Sequence, residues 1–229
     1  MNPKLKDIKV VAFDIDGTLY PNMRLYPLII PYVIRHIRFY IRFSRVRKIL
    51  HRTAPLPDFY AYQGKLLSEQ LGCTEKEARE QIDKIVYRGL SPYLEKTRPF
   101  SHVHDAFQTV REAGLRIALL SDFPPSQKGN VWGLLPFCEL SLGTEEIGAL
   151  KPSKYPFGIL AMKLGVKASE ILYVGNSIKY DVNGARNAGM KTALIAPRIS
   201  IFLRKIFHKL PPADILFSNY RQFIKFVLQ

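Results

Sequence analysis

The feature that most constrains this chain is an apolar run that ends in two carboxylates. Residues 9–20 read Lys-Val-Val-Ala-Phe-Asp-Ile-Asp-Gly-Thr-Leu-Tyr, so Asp14 and Asp16 come at the end of the run and a turn glycine follows them. A strand buried in a parallel sheet has this apolar, β-branched composition. Polar groups at its carboxyl end lie where such sheets bind their ligands. The segment therefore predicts a buried strand that delivers two carboxylates to an active site.

The pattern of the remaining chain predicts more strands, separated by helices. We predict strands at 9–15, 115–121, 171–175, 191–195 and 214–218, with helices such as 103–113 and 155–164 between them. Gly114, Gly165 and Gly189 occupy positions typical of the residue that ends a helix, each shortly before a strand. This alternation indicates an α/β fold, a doubly wound parallel sheet.

About 80 residues after the first strand interrupt this alternation and read as helical. We predict a helix from about Pro31 to His51, a break at Pro55 and Pro57, and further helices that begin near Asp58 and Thr74. The last start is marked by Thr74-x-x-Glu77, the spacing of a capping box. The chain therefore predicts a helical insertion in an α/β core.

Three further segments carry polar residues at or near the ends of predicted strands. The first is the strand 115–121, which ends in Ser121 and is followed by Asp122. The second is Lys151-Pro152, and the third is Tyr-Val-Gly-Asn-Ser at 173–177 with Asp181 and Ala185 after it. Because the carboxyl ends of parallel strands meet at one edge of a sheet, these residues are candidates for a single site.

Together these segments resemble the motifs of the haloacid dehalogenase (HAD) superfamily, whose nucleophile motif is D-x-D-G-T-[LV]. The resemblance covers the first strand and everything from about Arg98 to the C-terminus. It implies a Rossmann-like, HAD-like core formed by residues 1–20 and 98–229. It also implies that the insertion, residues 21–97, is a helical cap domain that closes over the active site.

The resemblance also implies a role for each motif residue. Asp14 attacks phosphorus to form an aspartyl-phosphate, and Asp16 protonates the leaving oxygen and then activates water. Ser121, Asp122 and Lys151 bind the substrate phosphate, with Lys151 holding the nucleophile and the phosphate together by charge. Carbon-centred dehalogenases of the superfamily lack the second aspartate, so Asp16 favours phosphoryl chemistry.

The same resemblance implies a Mg²⁺ cofactor, with one departure from the family pattern. In that pattern the ligands are the nucleophile, Asp14, the backbone carbonyl of the second aspartate, Asp16, and an aspartate of the last motif. Here Asn176 occupies the position of that last aspartate. Either Asn176 ligates as a neutral oxygen donor while Asp181 supplies charge nearby, or Asp181 ligates directly. A third alternative is that the substitution abolishes catalysis.

Positive charge is concentrated in two segments of the chain. The formal net charge is +15, and one acid-free stretch holds basic residues at 35, 38, 42, 45, 47, 48 and 52. A second basic segment, 198–209, contains Arg198, Arg204, Lys205 and Lys209. On a helix, most of the first set forms a basic stripe beside an apolar face of Phe39, Phe43, Val46 and Leu50. Alternatives are a cap helix packed by its apolar face, contact with an anionic membrane, or recognition of an anionic substrate; nucleic-acid binding is the weaker expectation.

The combined expectation is a Mg²⁺-dependent phosphatase of a small phosphorylated metabolite. The alternatives are a phosphomutase, which shares the motifs, and a weakly active or non-enzymatic protein that binds an anionic membrane or partner. The N-terminus leads directly into the first strand, and no run of about 20 apolar residues is present. Cys73 and Cys138 lack disulfide or zinc spacing. We therefore expect a cytoplasmic protein, with peripheral membrane contact as the alternative; no pattern indicates the substrate or the oligomeric state.

Overall fold

The computed structural model describes residues 5–206 and 211–228, and its centre is a six-stranded parallel sheet. The strands are β1 (Val10–Phe13), β2 (Arg116–Ser121), β3 (Leu140–Gly143), β4 (Ile171–Gly175), β5 (Lys191–Ile195) and β6 (Ile215–Phe217). Their order is β3-β2-β1-β4-β5-β6, so the strand order reverses at β1. The carboxyl end of β1 therefore opens onto the crevice where ligands bind in such sheets.

Helices surround this sheet. They are α1 (Asn22–Arg35), α2 (Ile37–Leu50), α3 (Phe59–Leu71), α4 (Glu75–Ile82), α5 (Arg88–Lys96), α6 (Val103–Glu112), α7 (Thr144–Ile147), α8 (Lys154–Leu164), α9 (Asn183–Asn187), α10 (Arg198–Ile206) and α11 (Tyr220–Leu228). Within the described residues, none of these helices has the length and apolarity that a membrane crossing requires.

The two faces of β1 pack against different helices, which is the physical basis of the doubly wound arrangement. Val11 and Phe13 belong to an apolar cluster with α6 and α11, in which the rings of Phe13 and Phe107 stack with centroids 4.6 Å apart. Val10 and Ala12 belong to a second cluster, with α8 and α9. All four residues of β1 are fully buried, and the predicted fold class is confirmed.

The helices α1–α5 follow β1 directly, as the predicted insertion requires, and α2–α4 share an apolar cluster of their own. The residues that α2 contributes to it are the four predicted for its apolar face, Phe39, Phe43, Val46 and Leu50. The side chain of Asp58 caps α3, and Thr74 and Glu77 form the predicted capping box at α4. The apolar face of α2 therefore packs inside the insertion.

Two details of the sequence prediction are wrong. The short strand β3, half-exposed over most of its length, was missed because its four residues, Leu-Ser-Leu-Gly, are too few to give a clear periodic signal. The helix predicted from Pro31 is two helices, since α1 begins at Asn22 and the backbone departs from helical geometry at His36, with φ −111°. Pro27 and Pro31 lie inside α1 on its exposed side, where water can bind the carbonyl groups that proline leaves unpaired.

A tight backbone contact joins the segment after α2 to the sheet-bearing part of the chain. The amide of Leu56 donates to the carbonyl oxygen of Gly148 at 2.9 Å. Gly148 has φ +97°, and a Cβ on it would lie 2.2 Å from the carbonyl oxygen of Leu56. Both observations require glycine at this position.

We expect Gly148→Ala to lower the free energy of unfolding by about 2 kcal/mol or more, because it adds backbone strain and a clash. Urea unfolding followed by circular dichroism measures this loss. The matched control is Gly158→Ala in α8, where a Cβ meets no atom within 4 Å. That change should stabilise the protein by roughly 0.5–1 kcal/mol. Equal effects of the two substitutions would contradict this account of Gly148.

Candidate active site

A buried lysine links two carboxylates at the carboxyl edge of the sheet. Lys151 Nζ donates to Asp14 Oδ1 at 2.7 Å and to Asp181 Oδ1 at 2.7 Å, and it lies 3.4 Å from the hydroxyl of Tyr173. Burial opposes the charge on this lysine, but the two carboxylates raise its pKa well above the ordinary value. Lys151 therefore brings Asp14 and Asp181, which belong to two other predicted motifs, into contact with one cation.

The carboxylate of Asp14 is buried and short of positive charge. Its second oxygen accepts a hydrogen bond from the hydroxyl of Thr18 at 2.7 Å. Burial, together with the carboxylates of Asp181 and Asp16, raises the pKa of Asp14 to about 7, although Lys151 opposes the shift. An added cation would therefore stabilise the ionised form of Asp14.

The second carboxylate of the motif, Asp16, has the opposite environment. Its Oδ1 accepts from the hydroxyl of Tyr20 at 2.6 Å, and its Oδ2 accepts from Ser121 Oγ and Lys128 Nζ, both at 3.0 Å. Burial alone would raise its pKa, but the charge of Lys128 and these three hydrogen bonds hold the pKa of Asp16 below its ordinary value. The two neighbouring aspartates therefore differ in proton affinity, which general acid–base chemistry requires.

The other two predicted residues, Asp122 and Asn176, lie at the same edge. Asp122 Oδ1 accepts from Thr144 Oγ1 at 2.8 Å and from the backbone amide of Lys151 at 3.1 Å. The backbone amides of Asn176 and Ser177 donate to Asp181 Oδ2 at 3.1 and 2.9 Å. Asp122 thus holds the segment that carries Lys151, and Asp181 holds the segment that carries Asn176. The Asn176 side chain lines a cavity beside Asp14.

Three polar contacts of the site were not anticipated from the sequence. Thr18 and Tyr20 lie in the first motif segment, so their proximity to the aspartates had a local signal. Lys128 had none, because it ends a short 3₁₀ turn (Pro125–Lys128) after β2 and belongs to no recognised pattern. Its side chain is almost fully buried, at 1% exposure. A lysine buried to this degree is uncommon without a partner, and Asp16 is that partner.

Helices α2 and α5, with the segment before α5, cover this site. A cavity of about 440 Å³ lies between them and the sheet edge, and it contains both motif aspartates. Its other walls include aromatic and aliphatic side chains: Tyr40, Phe43, Val86, Leu90 and Phe123. His51 Nδ1 lies 2.5 Å from the carbonyl oxygen of Lys151, and its ring stacks on Tyr180. The cavity therefore has a charged base, and its upper walls combine these apolar side chains with Ser44, Arg47 and Lys48.

A buried ion pair fastens this cover to the core. Arg47 of α2 binds Glu145 of α7, and Tyr87 donates to the other oxygen of Glu145 at 2.8 Å. The guanidinium of Arg47 also lies over the ring of Phe123, 4.5 Å from its centroid. Burial raises the pKa of Glu145, although Arg47 and Tyr87 oppose the shift. Arg47, which the sequence showed only as one cation of the acid-free basic stretch, is therefore an internal residue.

The known proteins and the family model that this chain resembles are described as hydrolases or phosphatases. A family model described as haloacid dehalogenase-like hydrolase matches residues 8–189. The pyrophosphatase PpaX of Halalkalibacterium halodurans is 26% identical over 195 residues, covering 82% of this chain and 84% of that protein. The glyceraldehyde 3-phosphate phosphatase of Methanopyrus kandleri is 29% identical over 200 residues, with the same coverage, 82% and 84%. The magnesium-bound HAD-hydrolase YfnB of Bacillus subtilis has a similar fold, with a TM-score of 0.67, 15% identity, and 97% and 99% of the two chains covered.

We expect Arg47→Met to destabilise the protein by about 3–5 kcal/mol at pH 7.5, because it leaves Glu145 buried and unpaired. The raised pKa of Glu145 means that it binds a proton more readily in the folded state than in the unfolded state. The cost of Arg47→Met should therefore shrink as the pH falls from 7.5 to 5. Denaturant unfolding at both pH values measures the cost.

The double variant Arg47→Met/Glu145→Gln is the control, since it removes both charges. It should be more stable at pH 7.5 than Arg47→Met alone, with a smaller dependence on pH. A double variant as unstable as the single one would show that packing, rather than the buried charge, dominates at this position.

Proposed function

The chain belongs to the haloacid dehalogenase-like hydrolases, and from this premise we propose that it is a phosphatase that hydrolyses a small phosphorylated metabolite through an aspartyl-phosphate at Asp14. The names of the similar PpaX and glyceraldehyde 3-phosphate phosphatase proteins support phosphoric ester or anhydride hydrolysis. The observation that carries the proposal is the position of Asp14, which Lys151 and Thr18 hold at the cavity beside Asp16. Without ligand the pKa of Asp14 is raised and that of Asp16 is lowered, so a cation at Asp14 and a phosphate beside Asp16 would give the charge states that the two roles require.

In the first proposed step, a carboxylate oxygen of Asp14 forms a bond to phosphorus while the bond from phosphorus to the ester oxygen breaks. Lys151 and Thr18 hold the attacking carboxylate in place and, by charge and hydrogen bonding, favour its ionised form. Lys151 also offers positive charge to the transferred phosphoryl oxygens, which become crowded with negative charge. The product of this step is an aspartyl-phosphate and the leaving alkoxide.

Asp16 would supply the proton that the leaving oxygen needs. Without substrate, Ser121 and Lys128 both donate to Asp16 and favour its ionised form. A phosphate dianion that enters the cavity competes for these donors, and its charge raises the pKa of Asp16. Asp16 can then carry a proton to the leaving oxygen. In the second step its carboxylate removes a proton from the water that attacks phosphorus, which releases phosphate and restores Asp14.

We propose Mg²⁺ as the cofactor, where it neutralises charge on Asp14 and on the phosphoryl oxygens. Across residues 5–206 and 211–228, no three His, Cys, Asp or Glu side chains form a metal-binding group. The donors would therefore be a mixed oxygen set, namely Asp14, the backbone carbonyl of Asp16 and the amide oxygen of Asn176. The charge deficit at Asp14 supports a cation there. Asp181 already accepts hydrogen bonds at both oxygens, which supports the orienting role rather than direct ligation.

We also propose that residues 21–97 act as a cap over a core of residues 1–20 and 98–229. The cavity between α2 and the sheet edge supports this role, because a substrate in it would contact both parts. Its volume of about 440 Å³ suits a small metabolite whose phosphate lies beside Asp14. Its upper walls offer apolar contacts to the carbon part of a leaving group and the cation of Lys48 to any further negative charge on it.

We expect Asp14→Asn to lower phosphate release by about a thousandfold or more, because an amide cannot attack phosphorus. Phosphate release from sugar phosphates, phosphoglycolate and nucleoside monophosphates measures this with Mg²⁺ and with EDTA. The control is Asp7→Asn, an exposed aspartate far from the strand end, which should keep full activity. Activity that survives in Asp14→Asn would contradict the mechanism. Activity that EDTA does not reduce would contradict the proposed cofactor. Formation of an isomeric phosphate ester without phosphate release would indicate a phosphomutase instead.

We expect Lys128→Met to move the limb of the kcat/KM profile that reports Asp16 to higher pH. The change removes the charge that lowers the pKa of Asp16, so the acid form of Asp16 persists to higher pH. Lys163→Met, an exposed substitution in α8, should leave the limb unchanged. A limb that stays in place, or moves to lower pH, would contradict the assignment of the proton donor to Asp16.

A further inference from the structure

The outward face of α1 is apolar, which is unusual for a surface helix. Met23, Ile30 and Ile34 recur at helical spacing and are 76%, 51% and 63% exposed. They lie opposite Leu25, the buried residue of the helix. The same helix also exposes Tyr26. Exposed apolar surface arranged along one face marks an interaction site rather than chance exposure.

Helix α2 continues this surface and adds positive charge to it. Its buried residues face the insertion core, and on the opposite side Ile37 and Ile41 are exposed beside Arg38 and Arg45. Residues 17–57 contain eight Lys or Arg and no Asp or Glu. Of these cations Arg47 alone is buried. The outer side of α1 and α2 is therefore both apolar and basic.

Helix α10 repeats the pattern near the start of α1. Ile199, Phe202 and Ile206 have i, i+3, i+7 spacing, and all three are more than half exposed. Met23 and Ser200 line the same cavity, so the starts of the two helices are neighbours. Of the second basic segment predicted at 198–209, residues 207–210, including Lys209, and the side chains of Arg204 and Lys205 lie outside the described part of the structure.

We propose that the outward faces of α1, α2 and α10 dock on the surface of an anionic phospholipid bilayer. Helices with an apolar face and flanking Lys or Arg lie in the plane of such a surface, with their apolar side chains among the headgroups and acyl chains. The cations pair with lipid phosphate and carboxylate groups. No residue used for catalysis takes part, so docking and hydrolysis are separable functions.

Charge selects the bilayer over other occupants of this surface. A second copy docked by the same face would bring two acid-free, basic segments together, and like charges at an interface oppose association. A nucleic acid would satisfy the arginines but would leave the isoleucines and Met23 in contact with a polar backbone. An anionic bilayer satisfies both the charge and the apolar side chains.

Sedimentation with vesicles tests the proposal on the full chain. One set of vesicles is phosphatidylcholine, and the other contains phosphatidylglycerol in addition. We expect the protein to bind the second set at least tenfold more tightly, with an affinity that falls as salt rises. Ile30→Ser/Ile34→Ser should weaken this binding at least tenfold, and Arg38→Gln/Arg45→Gln should weaken it and reduce its dependence on salt.

Two matched variants on α8 serve as controls because their side chains are exposed elsewhere on the molecule. Tyr155→Ser/Met162→Ser matches the apolar change, and Lys154→Gln/Lys163→Gln matches the charge change. Both should bind as the unaltered protein does. Circular dichroism and turnover of a soluble phosphate ester, neither of which should change in any variant, show that each is folded.

Three outcomes would overturn the proposal. The first is no binding to the anionic vesicles at low salt. The second is an equal loss of binding in the α8 controls, which would mean that total charge or apolarity acts without a defined face. The third is a stable dimer in light scattering that Ile30→Ser/Ile34→Ser dissociates, which would assign the face to a second copy.

Discussion

The structure of the site depends on the charge of Lys151. Asp14 and Asp181 are both buried at the end of the sheet, and two buried carboxylates this close to one cation would repel each other without it. The backbone of Lys151 is held on both sides, because its amide donates a hydrogen bond to Asp122 and its carbonyl oxygen contacts His51. Through these contacts, Lys151 therefore connects Asp14, Asp181 of the last motif, and the helical insertion.

This coupling gives the insertion a direct connection to the chemistry below it. His51 lies just after α2 and contacts the same residue that binds Asp14. Arg47, one turn earlier, is held by Glu145 and by the ring of Phe123 at the edge of the cavity. A movement of α2 that opens the cavity must either break these contacts or move their partners with the helix. The cover is thus positioned by polar contacts at the site, beyond the apolar packing within the insertion.

Sequence reasoning reached the parts of this arrangement that depend on local pattern. Asp14 and Asp16 follow a strand with a strong apolar signal, and the order of the later motifs placed Ser121, Lys151 and Asp181 at the same sheet edge. The role of Lys128 was not predictable, because the short segment after β2 folds back toward Asp16 and its sequence has no periodic pattern. The start of α1 was missed because proline usually marks the end of a helix, and only the exposed position of Pro27 makes it compatible with one.

The separation of cations into buried and exposed groups explains how a chain of net charge +15 can hold a balanced active site. Each buried cation among the described side chains faces carboxylates: Lys151 between Asp14 and Asp181, Lys128 against Asp16, and Arg47 against Glu145. Since these charges compensate one another internally, they contribute little to the field outside the molecule. The positive surface arises instead from cations that catalysis does not use, such as Arg38 and Arg45 on α2. An anionic substrate alone would therefore not account for the charge of this chain, whereas an extended anionic surface would.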